Sequence, residues 1–163
     1  DHNLRNTQQI ANAFAPLAPM RMHARGGVGA DVEFVPSVSG EEIEVADDQV
    51  DRLLEVGWRP EHVALLTMGS RHPIQAERQA ADGQVGYWRF FWDTDDVFYG
   101  HVLGCKGLER KAVILCVNPK NAERAKEMLY VGMSRATDHL VVIGDPGVIR
   151  SIGGPDVAHR LGI

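Results

Sequence analysis

An uninterrupted apolar run at residues 112–117, Ala-Val-Ile-Leu-Cys-Val, is the feature that most constrains the fold of this chain. A strand that is covered on both faces has apolar residues at nearly every position. Strands of this kind are typical of parallel sheets lying between layers of helices. Residues 63–68, Val-Ala-Leu-Leu-Thr-Met, form a second run of the same kind. We therefore predict an α/β domain with a mainly parallel central sheet flanked by helices.

The remaining elements follow from periodicity and from the positions of proline and glycine. We predict helices over 5–17, 47–56, 73–81 and 122–133, with a short closing helix around 157–161. We predict strands over 31–36, 87–92, 97–103 and 140–143, a loop over 25–30 and a turn over 93–96. Ligands of such sheets lie beyond the carboxyl ends of the strands, so we expect the loop that carries Lys106 and Glu109 to contribute to a site there.

Length and composition describe one compact domain spanning residues 1–163, with 44% hydrophobic residues to form its core. No apolar run approaches the roughly 20 residues that cross a bilayer, so we expect no membrane partner. The two cysteines form no disulfide or metal framework, and we expect reduced thiols in a cytoplasmic protein. The net charge of −5 counts against nucleic-acid binding by the whole surface but leaves room for a local groove.

Three segments carry candidate chemistry: Asn3-Leu-Arg-Asn-Thr7, His101 to Glu109, and Glu127 to Ala136. Each alone also has an ordinary structural interpretation. Arg5 is then a solvated surface cation, and the Lys106-Gly107 pair is a simple turn. Glu109 and Arg135 would lie near helix ends, where the helix dipole favours their charges.

Together the segments are more specific. Lys106-Gly-Leu-Glu109, then an apolar strand, then Leu129-Tyr-Val-Gly-Met-Ser-Arg-Ala136, resemble motifs V and VI of the UvrD/Rep-like superfamily 1 DNA helicases. Asn3-Leu-Arg-Asn6 resembles motif IV of that family, usually written Asn-Tyr-Arg-Ser. The resemblance implies a RecA-like fold of the P-loop type and the second motor domain, called 2A, of a longer ATP-dependent helicase or translocase.

The resemblance also implies roles for two arginines. Arg5 and Arg135 match the motif IV and motif VI arginines, which act as arginine fingers on the phosphates of ATP. Phosphoryl transfer spreads negative charge over the γ-phosphate, and cations aimed at it stabilise the transition state. Arginine suits this task because its charge is permanent and its planar fork binds phosphate through two hydrogen bonds.

Further residues are assigned to the nucleotide by the same resemblance. Glu109 matches the motif V glutamate that contacts the sugar, and a carboxylate commonly accepts hydrogen bonds from ribose hydroxyls. Gly107 would permit close approach of the backbone. Leu4 stands where the family has a tyrosine that stacks on adenine, so adenine would contact Leu4 with less stacking energy.

The DNA contacts fall at the start of the motif V-like segment. His101 occupies the position of a threonine that touches a DNA phosphate in the family, and Leu103 that of a histidine. Lys106 matches the motif lysine, for which both a DNA contact and a structural role are open. We expect single-stranded DNA or DNA junctions as the partner on this side of the domain.

The chain contains no Gly-x-x-x-x-Gly-Lys-Ser/Thr phosphate loop, and its histidines show no paired metal spacing. In the family, the first RecA-like domain supplies the phosphate loop and the magnesium ligands. We therefore expect ATP with Mg²⁺ to bind between that domain and this one, and the isolated chain to be inactive. The short separation of the motif IV-like and motif V-like segments leaves no room for the inserted 2B domain of full-length members.

A second interpretation is a binding or regulatory module that keeps the helicase fold without catalysis. The acidic net charge, Leu4 and the altered start of the motif V-like segment favour it.

Overall fold

The structure, a computed structural model, describes residues 2–18, 22–24, 27–92, 95–105 and 107–163. Seven strands lie in these ranges: β1 His2–Leu4, β2 Met22–Ala24, β3 Glu33–Pro36, β4 Val63–Thr67, β5 Phe98–His101, β6 Arg110–Val117 and β7 Ala136–Gly144. Five of them form a sheet in the order β3-β7-β6-β4-β5, and every pairing in it is parallel. Strands β1 and β2 form a separate parallel pair. The predicted α/β class with its parallel central sheet is confirmed.

In the same ranges, five helices surround the sheet: α1 Gln8–Phe14, α2 Glu42–Glu55, α3 Pro73–Trp92, α4 Ala125–Ser134 and α5 Pro146–Arg160. Short 3-10 turns occupy 15–17, 60–62 and 102–105. Both α3 and α5 are interrupted by a glycine with positive φ, at Gly83 and Gly154.

Helices cover both faces of the sheet, and successive strand residues point to opposite faces, so both sets of side chains are buried. Leu66 and Leu115 pack with α1, α4 and α5, whereas Leu65 and Ile114 pack with α2. This double burial explains why β4 and β6 are continuous apolar runs in the sequence.

Helix α3 passes around the edge strand β5. Its Ile74 packs on the side of α2, and Tyr87 and Phe91 pack on the opposite side. The break at Gly83, where φ is 67°, lets the two halves take different directions. The face of the sheet opposite α2 is thereby closed at its β5 edge by aromatic side chains.

The predicted strand over 87–92 is wrong, because these residues form the second half of α3. Their aromatic content favours a strand by intrinsic preference, but tertiary packing decides the outcome. Tyr87 and Phe91 are one helical turn apart, and both rings lie against Phe98 with centroids 5.5 and 5.1 Å away. The Tyr87 hydroxyl also donates a 2.7 Å hydrogen bond to the Tyr99 carbonyl.

Besides α3, two helices are longer than predicted. Helix α2 begins at Glu42 rather than at residue 47. Helix α5 extends back to Pro146, where Asp145 caps it by accepting from the Gly147 and Val148 amides at 2.8 and 3.2 Å. The internal Pro155 obscures this helix in the sequence.

The first helix is shorter than predicted. It begins after Thr7, whose hydroxyl accepts from the Ile10 amide, and Pro16 turns its end into a 3-10 turn. The predicted loop over 25–30 and turn over 93–96 fall partly outside the described residues.

Across the described ranges, no helix combines the length and apolar character that crossing a membrane requires.

Candidate functional site

The segment from His101 to Glu109 connects the two ends of the sheet. We call the side where the strands end the carboxyl edge and the side where they begin the amino edge. His101 ends β5 and pairs with Thr67 at the carboxyl end of β4. Glu109 precedes β6, whose first residue Arg110 pairs with Ala136 at the amino end of β7. The expectation that Glu109 lies beyond the carboxyl ends of the strands is therefore wrong. A connection between two parallel strands of one sheet must return along the sheet, and the connection from β5 to β6 does so in a few residues.

Three predicted site residues meet at the amino edge. The Arg5 Nη1 atom lies 3.9 Å from Glu109 Oε1. The Arg135 Nη1 atom donates to the carbonyl of Leu108, the residue before Glu109, at 3.1 Å. Two arginines that are far apart in the sequence thus contact adjacent residues, Arg5 at the Glu109 carboxylate and Arg135 at the Leu108 backbone. We refer to Arg5, Glu109 and Arg135 as the arginine cluster.

The two arginines differ in exposure and in the number of protein contacts. The side chain of Arg5 is 77% exposed, so it is accessible to a ligand from outside this chain. Arg135 is half-buried, and its Nε and Nη2 atoms donate to the Val131 carbonyl and the Ser134 hydroxyl at 3.1 and 3.0 Å. With the bond to Leu108, three of its five N–H groups have acceptors among the described residues, which leaves two for a ligand.

Burial lowers the pKa of the Arg135 guanidinium from its usual value, and the negative charge of Glu109 works against that shift. The group nevertheless stays charged, because a guanidinium does not deprotonate in proteins. Placing a permanent cation in a partly desolvated position strengthens its interaction with an incoming anion.

The buried side chain of Asn6 connects the first segment to the third. Its Nδ2 atom donates to the carbonyls of Ser134 and Ala136, at 3.0 and 2.5 Å, on either side of Arg135. The Thr7 amide continues this contact by donating to the Thr137 carbonyl at 2.9 Å. The sequence analysis missed this role, although Asn6 stands inside the motif IV-like segment at the position of the family's serine.

For Gly107 and Leu4, the other two residues predicted to contact the nucleotide, the structure describes the backbone. Gly107 has a φ of 86°, and no described atom lies within 4 Å of where its Cβ would be. Its glycine is therefore required here by backbone conformation rather than by close packing. The backbone of Leu4 ends β1. The Leu4 side chain and Lys106 lie outside the described residues.

His101 lies at the other edge of the sheet, away from the arginine cluster. Its Nδ1 atom accepts a 3.1 Å hydrogen bond from the Leu103 amide. Burial lowers its pKa, the backbone of Met68 raises it, and the positive charges of Arg71 and Lys120 lower it further. The imidazole is therefore neutral at physiological pH and offers hydrogen bonds rather than charge.

His101 lines a groove of about 1130 Å³ at the carboxyl ends of the strands. This groove also includes Arg71, Lys120 and Arg124, cations that the sequence analysis did not single out. They lie in loops after β4 and β6. Ligands of parallel α/β sheets bind at loops that follow the carboxyl ends of the strands. Within the described part of the chain, no group of three or more His, Cys, Asp or Glu side chains could hold a metal ion.

No protein-family model matches the chain, and no curated protein matches it. Among solved structures, it is similar to the C-terminal domain of a possible DNA helicase from Lactobacillus plantarum WCFS1, with a TM-score of 0.58 and 20% sequence identity. The match covers 95% of this chain and 92% of that one. At this level of identity the likeness establishes the fold alone: the chain has an α/β, RecA-like architecture similar to that of the neighbour.

Proposed function

We propose that this chain is the second RecA-like motor domain of an ATP-dependent DNA helicase or translocase of the UvrD/Rep-like superfamily 1. The observation that carries the proposal is the convergence of Arg5 and Arg135 on the adjacent residues Leu108 and Glu109. The three motif-like segments and the similarity in fold support it independently.

The arginine cluster suits the triphosphate and ribose of ATP held by a neighbouring first RecA-like domain. That domain would supply the phosphate loop and the Mg²⁺ ligands, and Mg²⁺ neutralises charge on the β- and γ-phosphates when it is bound. Arg5 and Arg135 would donate to the phosphate oxygens as negative charge develops on them. Glu109 would accept from the ribose hydroxyls and orient the guanidinium group of Arg5.

The two edges of the sheet would have separate tasks. Nucleotide binds at the arginine cluster, and single-stranded DNA or a DNA junction contacts the opposite edge at His101. Because the segment 101–109 joins these edges directly, a shift of Glu109 towards nucleotide is transmitted along a short and partly buried connection. Closure of the cleft between the domains would then move the DNA-contacting edge.

The class is tested by measuring ATP turnover of the full-length protein with and without single-stranded DNA. We expect turnover that DNA stimulates strongly. Turnover that is equal in the presence and absence of DNA would reject a DNA motor.

A non-catalytic module with the same fold is the second candidate, favoured by the net charge of −5 and by Leu4 at the position of the stacking tyrosine. It predicts that the full-length protein turns over no ATP under either condition. It also predicts that the reading frame before Asp1 encodes no phosphate loop.

A further inference from the structure

The junction between α4 and β7 consists of one residue. Helix α4 ends at Ser134, β7 begins at Ala136, and Arg135 alone lies between them. The last carbonyls of a helix find no donor within the helix, so donors must come from elsewhere. Because Ser134 and Ala136 are buried, these donors must be groups of the protein. The position of Arg135 therefore depends on what binds the backbone on either side of it.

The side chain of Asn6 binds both sides of this junction with one amide group. Its Nδ2 atom donates to the Ser134 carbonyl at 3.0 Å and to the Ala136 carbonyl at 2.5 Å. The amide carries two protons, so each carbonyl receives its own hydrogen bond. The two acceptors also fix the orientation of the amide, because its own oxygen could not face them. Asn6 is 3% exposed, so these bonds lie among buried groups.

Backbone amides bind the rest of the junction. The Thr7 amide donates to the Thr137 carbonyl at 2.9 Å, and the Arg110 amide donates to the Arg135 carbonyl at 3.0 Å. The carbonyls of four successive residues, 134–137, are thus all bound. A substitution can remove the side-chain donor to two of them while leaving these two backbone bonds in place.

The Arg135 guanidinium moves with the end of α4. Its Nε atom donates to the Val131 carbonyl at 3.1 Å, and its Nη2 atom donates to the Ser134 hydroxyl at 3.0 Å. Both acceptors belong to α4. A shift of the end of this helix would therefore displace the guanidinium as well.

Asn6 also follows Arg5 directly in the sequence. The backbone that carries the exposed guanidinium of Arg5 therefore also carries the amide that binds both sides of Arg135. The contact of Arg5 with Glu109, at 3.9 Å, places its guanidinium at the same edge of the sheet. The relative position of the two guanidinium groups thus depends on the hydrogen bonds of Asn6.

We propose that Asn6 is a positioning residue for ATP hydrolysis, which fixes the guanidinium of Arg135 relative to that of Arg5. The inference rests on the proposed function for the reaction, whereas the hydrogen bonds that support it belong to this chain. A misplacement of about 1 Å in a group that acts on a transition state can lower turnover by about a hundredfold. The loss appears in turnover rather than in ATP binding, because the misplaced group acts on the transition state.

The test is ATP turnover of the full-length protein on single-stranded DNA, measured as kcat and KM. Asparagine, serine and ionised aspartate offer the two carbonyls two, one and no donors. We expect kcat to fall by about tenfold in Asn6→Ser and by about a hundredfold in Asn6→Asp, with KM within about twofold. Asn6→Ser decides the question if Asn6→Asp does not fold. An unchanged kcat, or a rise in KM alone, would overturn the proposal.

The matched control is Asp145→Ala, which removes a structural contact at the carboxyl edge. Asp145 accepts from the Gly147 and Val148 amides at the start of α5, and loss of such a cap also lowers stability. Its kcat should stay within about twofold of the unchanged protein. A fall equal to that of Asn6→Ser would show that turnover follows stability and would reject a positioning role.

A second readout separates positioning from a purely structural role. Affinity for ADP with aluminium fluoride, a mimic of the transferring phosphoryl group, is measured by displacement of a fluorescent nucleotide. It should weaken in the Asn6 variants by about the factor by which kcat falls. Affinity for a non-hydrolysable ATP analogue should stay within about twofold. An unchanged ratio of the two affinities would overturn the proposal.

The positioning role and the motor are rejected by different results. DNA-stimulated turnover in the unchanged protein that the Asn6 variants fully retain would reject the role of Asn6 alone. Absence of ATP turnover in the unchanged protein would reject the motor and the positioning role with it.

Discussion

The Arg5 Nη1 atom lies 3.9 Å from Glu109 Oε1, across more than a hundred residues of sequence. As an exposed ion pair this contact adds little to folding stability. The contact matters because it positions Arg5 at Glu109, whose negative charge also raises the pKa of Arg135 against the effect of burial. Glu109 therefore lies against an exposed guanidinium and also affects a half-buried one through its charge.

The isolated 163-residue chain should not hydrolyse ATP appreciably. Its sequence has no phosphate loop, so the proposed site needs a neighbouring domain to hold the phosphates of ATP. Phosphate release with and without single-stranded DNA measures this directly. Hydrolysis that rises in proportion to the chain concentration would contradict the two-domain site.

Replacement of Asn6 by Asp should lower the free energy of unfolding by about 1–3 kcal/mol. The change is nearly isosteric, but it places a carboxylate oxygen against the Ser134 and Ala136 carbonyls in a buried position. Urea unfolding of the chain measures the loss. Asn12→Asp is the matched control, because this exposed side chain accepts a hydrogen bond from Arg160 Nη1 and should keep that role. Equal effects of the two changes would show that Asn6 does not connect the segments.

Gly69→Ala should lower the free energy of unfolding by about 1–3 kcal/mol. A Cβ at residue 69 would overlap the backbone carbonyl oxygen of Asn118, so the two loops would have to separate. Gly104→Ala is the control, since its Cβ would meet nothing closer than 3.6 Å. Urea or thermal unfolding compares the pair, and a neutral Gly69→Ala would contradict the close approach of the β4 and β6 loops.

Stability should decline as the pH falls below about 6.5, the usual pKa of histidine. Burial lowers the pKa of His101 in the folded chain, so the unfolded chain binds more protons over this range. The contribution of His101 to the free energy of unfolding is complete above its pKa in the unfolded chain. It is lost as the pH falls through its lower pKa in the folded chain. His101→Asn keeps an acceptor for the Leu103 amide and cannot titrate. Urea unfolding at several pH values should therefore show a smaller decline for this variant, and an identical decline would contradict the assignment.

Much of the fold is predictable from local pattern. The runs at 63–68 and 112–117 are apolar because both faces of β4 and β6 are covered, and this burial is visible in sequence. The strand predicted over 87–92 fails because its aromatic residues pack around Phe98, a contact that no local window contains. Helix α5 is missed in large part because Gly154 and Pro155 interrupt it.

Part of the candidate site can likewise be predicted from the sequence, and part cannot. The residues of the arginine cluster can be identified in the sequence because they stand in motif-like segments. Their distances from one another are known only from the fold. Asn6 escapes notice since its partners, the Ser134 and Ala136 carbonyls, are backbone groups that carry no signal in sequence. The groove cations Arg71, Lys120 and Arg124 escape notice because they become neighbours only when the β4 and β6 loops meet.

The most direct test of the account is the DNA-stimulated ATP turnover of full-length Arg5→Ala and Arg135→Ala variants, measured beside their ATP affinity and an Arg150→Ala control. We predict that turnover falls by about a thousandfold or more in each, because an arginine finger acts on the transition state. ATP affinity should change much less, and the control should retain full turnover. Unchanged turnover in both variants would contradict the claim that these two guanidinium groups act on one nucleotide.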